Sequence, residues 1–462
     1  MSRPNLLFVF ADQMRGMDMG CAGNPEVRTP NMDRLAREGT QMTQAFANCP
    51  VCTPSRAVLL TGRHAIATRV VGNDLPLPVD LPSIGTCLRA VGYRTAYVGK
   101  WHLDGVPRTG WTPPGPRRHG FDFWRAYNCS HAYWRGRYYG DDPEPIAIPG
   151  YEPAGQTDLL LEFLEREDPR PFAAFLSWGP PHDPYEQVPA EYVAGYDPAS
   201  LTLRPNLRPL PPGRGDLSGG RPAADTLALY YAQITALDAQ LGRILDRLTS
   251  LGRDADTLVV FTSDHGDMLG SQGHMMKQQP WEESIHIPLL VRWPGRVPAG
   301  RRAAGLFGLA DMMPTLLGLL GVAPPPGIQG TDLSELALGH RPEGVPEVYI
   351  YDLVAADQSV RQGIPEWRGV RTARHTYART RQGPWLLYDN VADPYQLHNR
   401  VGDPDMADLQ RALDAALDRW LRSTGDPMVS GQELIARLGL GALWDARERE
   451  LGQRPRGGGP RR

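Results

Sequence analysis

The sequence lacks any apolar run long enough to cross a membrane: no stretch of its 462 residues approaches roughly 18 uninterrupted apolar side chains. Its first apolar segment, residues 6–11, is too short for the core of a signal peptide. Asp12 follows it at once, with no small-residue cleavage site. The expectation is a buried first strand in a cytoplasmic protein. Charge of one sign is also missing. Lys+Arg is 49 and Asp+Glu is 52, a formal net charge of -3, which gives nucleic acid or an anionic membrane no electrostatic hold. Lysine is scarce beside arginine, while Pro (45) and Gly (50) abound; a genome rich in G and C produces that bias without functional cause. Cysteine is sparse and odd in number: Cys21, Cys49, Cys52, Cys87 and Cys129. With no export signal, that count argues against a disulfide framework. Cys49-Pro-Val-Cys52 has the spacing of a redox pair or half a zinc site, but no second such pair or nearby His pair completes a zinc site.

What the sequence does have is alternation. A chain this long exceeds one hydrophobic core. Residues 5–11 read as a strand buried on both faces. Thr29 and Pro30 open a helix to Arg37, with Thr29 as N-cap and Gly39 as stop. Pro54 suits the first turn of a helix over 55–60 that Gly62 ends. Helix 82–91 precedes strand 93–98, helix 158–166 precedes strand 172–178, and a long amphipathic helix over 226–251 precedes strand 257–262. Strand 287–293 and an apolar helix over 309–320 follow. The pattern predicts an α/β fold, a large mostly parallel central sheet flanked by helices. At 325–345 the composition shifts to Pro, Gly and charge. Short strands at 348–351, 367–372, 377–380 and 385–388 and a helix at 406–421 then predict a smaller C-terminal antiparallel sheet with a helix. The expected organisation is an α/β domain over 1–340, a small α+β subdomain over 341–425, and an extension over 426–462. The Gly/Pro/Arg-rich tail at 454–462 reads as disordered. No internal repeat is present.

Polar residues gather where apolar strands end. Asp12-Gln13 follows the first strand, and Ser263-Asp264-His265-Gly266 follows the strand at 257–262. In open α/β sheets ligands bind beyond the carboxyl ends of strands. Asp12, Gln13, Asp264 and His265 are therefore expected to converge and offer carboxylate oxygens, an amide oxygen and an imidazole to a divalent metal. Taken singly, either aspartate reads as a turn residue; the pair with polar partners favours the metal.

The stretch Pro50-Val51-Cys52-Thr53-Pro54-Ser55-Arg56, continuing to Gly62, contains a C-x-P-S-R core. It resembles the first signature of the sulfatase family. The run from Gly92 to Val98-Gly99-Lys100-Trp101-His102 resembles the second. Pro181-His182-Asp183-Pro184-Tyr185 is similar to the family's middle histidine segment. Ser263-Asp264-His265-Gly266-Asp267, with Lys277 downstream, resembles its last metal-and-lysine segment, and residues 371–399 resemble its small domain.

The resemblance implies that Cys52 is oxidised to formylglycine, whose hydrate is a gem-diol. One hydroxyl attacks sulfur and the other later expels sulfate. It implies that Asp12, Gln13, Asp264, His265 and modified residue 52 hold one divalent metal. Arg56, one helical turn after residue 52, would hold the diol and neutralise charge, and the first helical turn would offer N–H groups to an anion. Lys100 becomes a charge stabiliser and His102 the base that aids sulfate expulsion; two apart on an extended segment, they are expected to face one side. His182 and Lys277 would contact sulfate oxygens and protonate the leaving oxygen. His64, His119, His131, His274 and His286 receive no such role, with His131 and His274 the two to watch. The aromatic-rich residues 127–139 read as packing or, more sharply, as a pocket wall.

Two departures from the family pattern stand out. Many sulfatases carry two acids at the first position, where this chain has Asp12 and Gln13, and His265 replaces an amide. Two carboxylates bring formal charge -2 rather than -3. The expected metal is Ca2+, with Mn2+ able to replace it. The Asp-Gln start is shared with phosphonate monoester hydrolases and choline sulfatases of the alkaline phosphatase-like superfamily, so a phosphonate monoester or phosphodiester substrate is the alternative. A third reading is a binding protein with Cys52 unmodified. Residues 127–131 and 201–207 look like the carbohydrate-type sulfatases. The expected substrate is thus a sulfated carbohydrate or other small organic sulfate ester. A formylglycine-generating enzyme acting on the unfolded chain is an expected partner; nucleic acid and membrane are not, and a homo-oligomer stays open.

Overall fold

Leu6, Phe8 and Phe10 face one side of strand β1 (Asn5–Asp12), and Leu7, Val9 and Ala11 the other. All six are at most 1% exposed. An unbroken apolar run is what a strand covered on both faces requires, and each such side chain contributes about 1.5–3 kcal/mol by leaving water. The computed structural model that shows this describes residues 3–209 and 220–452.

β1 lies inside an eight-stranded sheet. The others are β2 (Thr40–Met42), β3 (Arg94–Lys100), β4 (Phe123–Tyr127), β5 (Phe172–Pro181), β6 (Thr257–Ser263), β7 (Leu289–Arg292) and β8 (Arg301–Ala303). Their order across the sheet is β8-β2-β7-β6-β1-β5-β3-β4, and only β7 runs against its neighbours. One face packs on α2 (Cys52–Thr61), α3 (Ile84–Ala90) and α6 (Met312–Leu319). The other packs on α1 (Pro30–Arg37), α4 (Glu152–Glu165) and the 28-residue α5 (Ala223–Ser250). A separate antiparallel sheet follows in simple order: β9 (Glu347–Asp352), β10 (Trp367–Thr372), β11 (His375–Thr380) and β12 (Gly383–Asp389), backed by α8 (Ala407–Thr424). A short α7 (Gln358–Gln362) sits in the connection from β9 to β10. The fold is therefore the α/β arrangement expected from the alternation. Among the described residues no helix is long and apolar enough to cross a membrane, and all five cysteines are free.

Three local expectations need correction. The helix expected over 55–60 begins at Cys52, because Pro54 occupies its third position, still within the first turn where a missing N–H costs nothing. Thr29 makes no side-chain cap to α1. The Asp238 carboxylate of α5 takes the N–H groups of Asn31 and Met32 instead, at 3.1 and 2.7 Å, and a buried carboxylate outcompetes a hydroxyl there. The region after residue 425 contains two helices that periodicity did not reveal, α9 (Gly431–Arg437) and α10 (Gly441–Gly452). The tail expected to be disordered, 454–462, lies outside the described residues.

Candidate active site

Four adjacent strands, β6-β1-β5-β3, end at one edge of the sheet. β1 delivers Asp12 and Gln13, β6 delivers Asp264 and His265, β5 leads into His182, and β3 ends in Lys100. Cys52, the first residue of α2, enters the same point. One ligand atom from each of Asp12, Cys52, Asp264 and His265 lies within 4.8 Å of all the others, and all four residues are buried. The Cys52 Sγ is 3.2 Å from His265 Nε2 and 3.7 Å from Asp12 Oδ1.

Orientation within this cluster is imposed from outside it. Arg56 donates from Nε to Asp264 Oδ2 and from an Nη to Asp12 Oδ2, both at 3.0 Å. Its other Nη donates to the Lys100 carbonyl (2.7 Å) and Ser177 Oγ (2.8 Å). Lys100 Nζ adds a 2.6 Å bond to Asp12 Oδ2. The outer carboxylate oxygens are thus occupied by cations, and the Oδ1 atoms turn towards Cys52 and His265. His265 Nδ1 is 3.0 Å from the Gly266 carbonyl, which requires N–H there and leaves a lone pair on Nε2 facing the cluster. Gln13 is set by Asp267: Oδ2 accepts from Gln13 Nε2 and from the Tyr185 hydroxyl, each at 2.6 Å. The Gln13 amide oxygen then accepts from Lys277 Nζ.

The electrostatics follow from burial and neighbours. Burial and the Cys52 charge push Asp12 up, but Lys100, His182 and Arg56 outweigh them and hold it below the usual carboxylate range. Burial and the adjacent Asp12 push Asp264 up. Burial would also raise Cys52, yet Lys277, Lys100 and His265 hold its thiol well below the ordinary range. His102 is opposed by burial, but Cys129 and the bond to Asp74 raise it to about 10.

A cavity of about 240 Å3 opens onto this cluster, lined by Cys52, Lys100, His102, His182 and Lys277 among others. Lys277 Nζ is 2.6 Å from His182 Nε2. A larger cleft of about 430 Å3 is bordered by Asn24, Arg204 and Tyr395; among the described residues it contains no cluster of His, Cys, Asp or Glu able to hold a metal.

The structure brings together all the sequence-proposed residues, though two by routes the sequence did not suggest. Strand alternation does not align Lys100 with His102: β3 ends at Lys100, and His102 turns into the cavity through a positive φ of 54°. Arg56 has the two aspartates as partners and not residue 52, because five donors fixed in one plane suit two carboxylates. Of the remaining histidines, His131 belongs here, stacked 4.2 Å from the His182 ring and 3.3 Å from Lys100 Nζ. His274 stacks on Trp281 instead. Tyr127 and Tyr133 are packing residues, with the Tyr133 hydroxyl holding the His182 carbonyl at 2.9 Å. Asp74 and Arg108 were not foreseen, since each is an ordinary loop residue in sequence, and Asp267 was noted only as the end of its segment, with no role. One available signal was compositional: Lys100 and Lys277 are the only lysines in the chain, and both are buried in this cavity.

Comparison with known proteins gives a consistent picture. The Sulfatase family model matches residues 4–322, and that for the C-terminal part of N-sulphoglucosamine sulphohydrolase matches 270–423. The chain is 40% identical over 435 residues to an ulvan-active sulfatase of Formosa agariphila, covering 93% of this chain and 83% of that protein. It is 31% identical to an endo-4-O-sulfatase of Bacteroides thetaiotaomicron, covering 94% and 95%. The crystal structure of yidJ from Bacteroides fragilis, described as a sulfatase, superposes with a TM-score of 0.83 at 30% identity, over 94% of this chain and 98% of that one.

Proposed function

This chain belongs to the sulfatase family and is a sulfuric ester hydrolase, and we propose that it acts on a sulfated carbohydrate, using formylglycine at position 52 beside one divalent cation. The observation that carries this reading is the convergence of Asp12, Asp264, His265 and Cys52 at the edge of four strands. The relatives active on ulvan or described as an endo-4-O-sulfatase support the carbohydrate class.

The donor set fits a cation. Two buried carboxylates side by side repel, and the inward Oδ1 atoms with the His265 lone pair offer what a divalent ion needs. Asp12, Gln13, Asp264, His265 and residue 52 would hold it. Ca2+ suits the oxygen donors, and the imidazole admits Mn2+. When bound, the ion withdraws charge from sulfate oxygens and lowers the pKa of a hydroxyl at residue 52. A formylglycine hydrate supplies two hydroxyls, one to attack sulfur and one whose deprotonation releases sulfate and restores the aldehyde.

The rest falls to side chains. Lys100 and Lys277, both buried, bring positive charge to the sulfate oxygens at the floor of the cavity, where it acts more strongly than in open water. Lys277, bonded to His182, delivers a proton to the leaving oxygen as the sulfur–oxygen bond breaks. His102, held 2.9 Å from Asp74, takes the proton from the second hydroxyl in its neutral form, whose share grows as pH rises towards about 10. Cys52 is 2% exposed, so a formylglycine-generating enzyme would reach it only before folding.

Turnover of p-nitrophenyl sulfate and of a panel of sulfated sugars, steroid sulfates and choline sulfate, against phenyl phosphonate esters, tests the proposal. Preference for a sulfated sugar is expected; preference for the phosphonate esters would establish the alternative phosphonate monoester or phosphodiester hydrolase. Cys52→Ala should abolish nearly all turnover while leaving the thermal midpoint close to that of the wild type. Intact peptide mass should show residue 52 with one sulfur and two hydrogens replaced by one oxygen.

A further inference from the structure

The C-terminal helix α10 reaches the active site from the far end of the chain. It lies beyond residue 423, where the matched family regions end. Its twelve residues carry charge on most faces, and such a helix holds its shape only by docking. Two side chains make the dock. Trp444 covers Gly72 so closely that a Cβ there would lie 2.8 Å from the indole. Arg447, 1% exposed, stacks on Trp444 with its guanidinium 4.6 Å from the ring centroid.

Arg447 donates from Nε to the Asn73 carbonyl at 2.8 Å and from an Nη to Asp357 Oδ2 at 2.5 Å. Its Nε is 3.8 Å from Asp74 Oδ2. The loop it grips is tied to both ends of the proposed chemistry. Asn73 Oδ1 accepts from the Thr53 N–H at 3.0 Å, and the Asp74 N–H donates to Thr53 Oγ1 at 3.1 Å, so the loop anchors the residue after Cys52. Asp74 also holds His102 at 2.9 Å and Arg108 in a two-pronged pair at 2.6 Å. Asp357, the other acceptor, has a left-handed backbone (φ 53°) just before α7, and it lines the cavity with Gln358 and Arg361. Leu451 of α10 lines the same cavity.

We infer that α10 is a working part of the active site and that Arg447 is a positioning residue, fixing loop 72–74, and through it His102 and Thr53, while pinning the Asp357 wall of the cavity. A guanidinium does this where a lysine would not, because it reaches two acceptors on different segments at once. The inference rests on His102 acting as proposed above. Positioning errors near 1 Å cost rates roughly a hundredfold.

Two readouts test it. Hydrogen exchange compares wild type with Arg447→Ala and needs no turnover. Lost protection confined to peptides carrying residues 70–76 and 52–56 is expected; unchanged protection there overturns the inference. Kinetics with p-nitrophenyl sulfate then separate positioning from packing. In Arg447→Ala, kcat should fall roughly tenfold to a hundredfold with a smaller change in KM, and added guanidinium ion should restore part of it. Wild-type kcat in the folded variant, or a loss that guanidinium leaves untouched, refutes the role. If the alanine variant does not fold, Arg447→Lys carries both readouts, with the same two segments loosened and a smaller fall in kcat; wild-type behaviour in it refutes the role equally. A wild-type enzyme that turns over no sulfate ester would condemn the proposed reaction and leave the exchange result to decide the clamp.

Discussion

Lys277 shows how much of this site is set by single neighbours. Its ammonium is shared between the Gln13 amide oxygen and His182, so it can give up a proton at the leaving oxygen and remain hydrogen-bonded. Lys277→Ala should lower kcat about a hundredfold on sugar sulfates, whose leaving oxygen is poor, and about tenfold or less on p-nitrophenyl sulfate; equal losses in the two assays would remove its acid role. Glu152 makes a different point. It is fully buried, its Oε1 accepts from Tyr127 and Gln156, and its Oε2 has no hydrogen-bond partner among the described residues. Burial pushes its carboxyl up to about 7. Between its ordinary value of 4.5 and that value the folded chain keeps a proton the unfolded chain has lost. Stability therefore declines through this window as pH rises, by up to roughly 3 kcal/mol. Glu152→Gln should match wild type in urea midpoint near pH 4 and exceed it at pH 8. A midpoint difference that does not change with pH would contradict the assignment. At this scale the sequence was legible where a residue follows a strand or sits in a signature. It was silent on Asp74 and Arg108, and on what Asp267 does within its segment, because their significance is only which atom they face.

The strands bring the groups together, and their spacing is unforgiving. Gly99 sits in β3 at φ 98°, and a Cβ there would lie 2.1 Å from the Ser177 carbonyl of β5. Only glycine permits the two strands to approach there with Lys100 emerging beside Asp12. Gly99→Ala should cost about 1–3 kcal/mol or more, read as a lower denaturation midpoint, and should weaken activity through Lys100; an unchanged midpoint would show that the strand accommodates the methyl. Strands were legible because β1, β5 and β6 each carry an unbroken apolar run, over 6–11, 172–176 and 258–261, a pattern that burial on both faces demands. The start of α2 was misplaced by three residues, since proline marks a first turn without saying which position of it. The helices after residue 425 escaped because a largely polar helix carries no periodic apolar stripe; α10 is docked on loop 72–74 through Trp444 and Arg447.

On the scale of the molecule, the large sheet brings residues from positions 12, 52, 100, 182, 264 and 277 to one edge, and the segments after β9 close over it from the other side. Asp357 in the connection from β9 to β10 and Leu451 in the last described helix both line the cavity, so the walls come from the whole length of the chain although the reacting groups come from its first 277 residues. The alternation of strands and helices fixed the first of these in advance. The second depended on long-range docking, which no local pattern encodes. The central claim is that Asp12, Asp264, His265 and residue 52 share one cation. Anomalous diffraction from Mn2+-loaded crystals, recorded at the manganese edge, measures it directly. A single peak lying between Asp12 Oδ1, Asp264 Oδ1, His265 Nε2 and residue 52 is the result predicted here; a peak elsewhere, or none at that point, would contradict it.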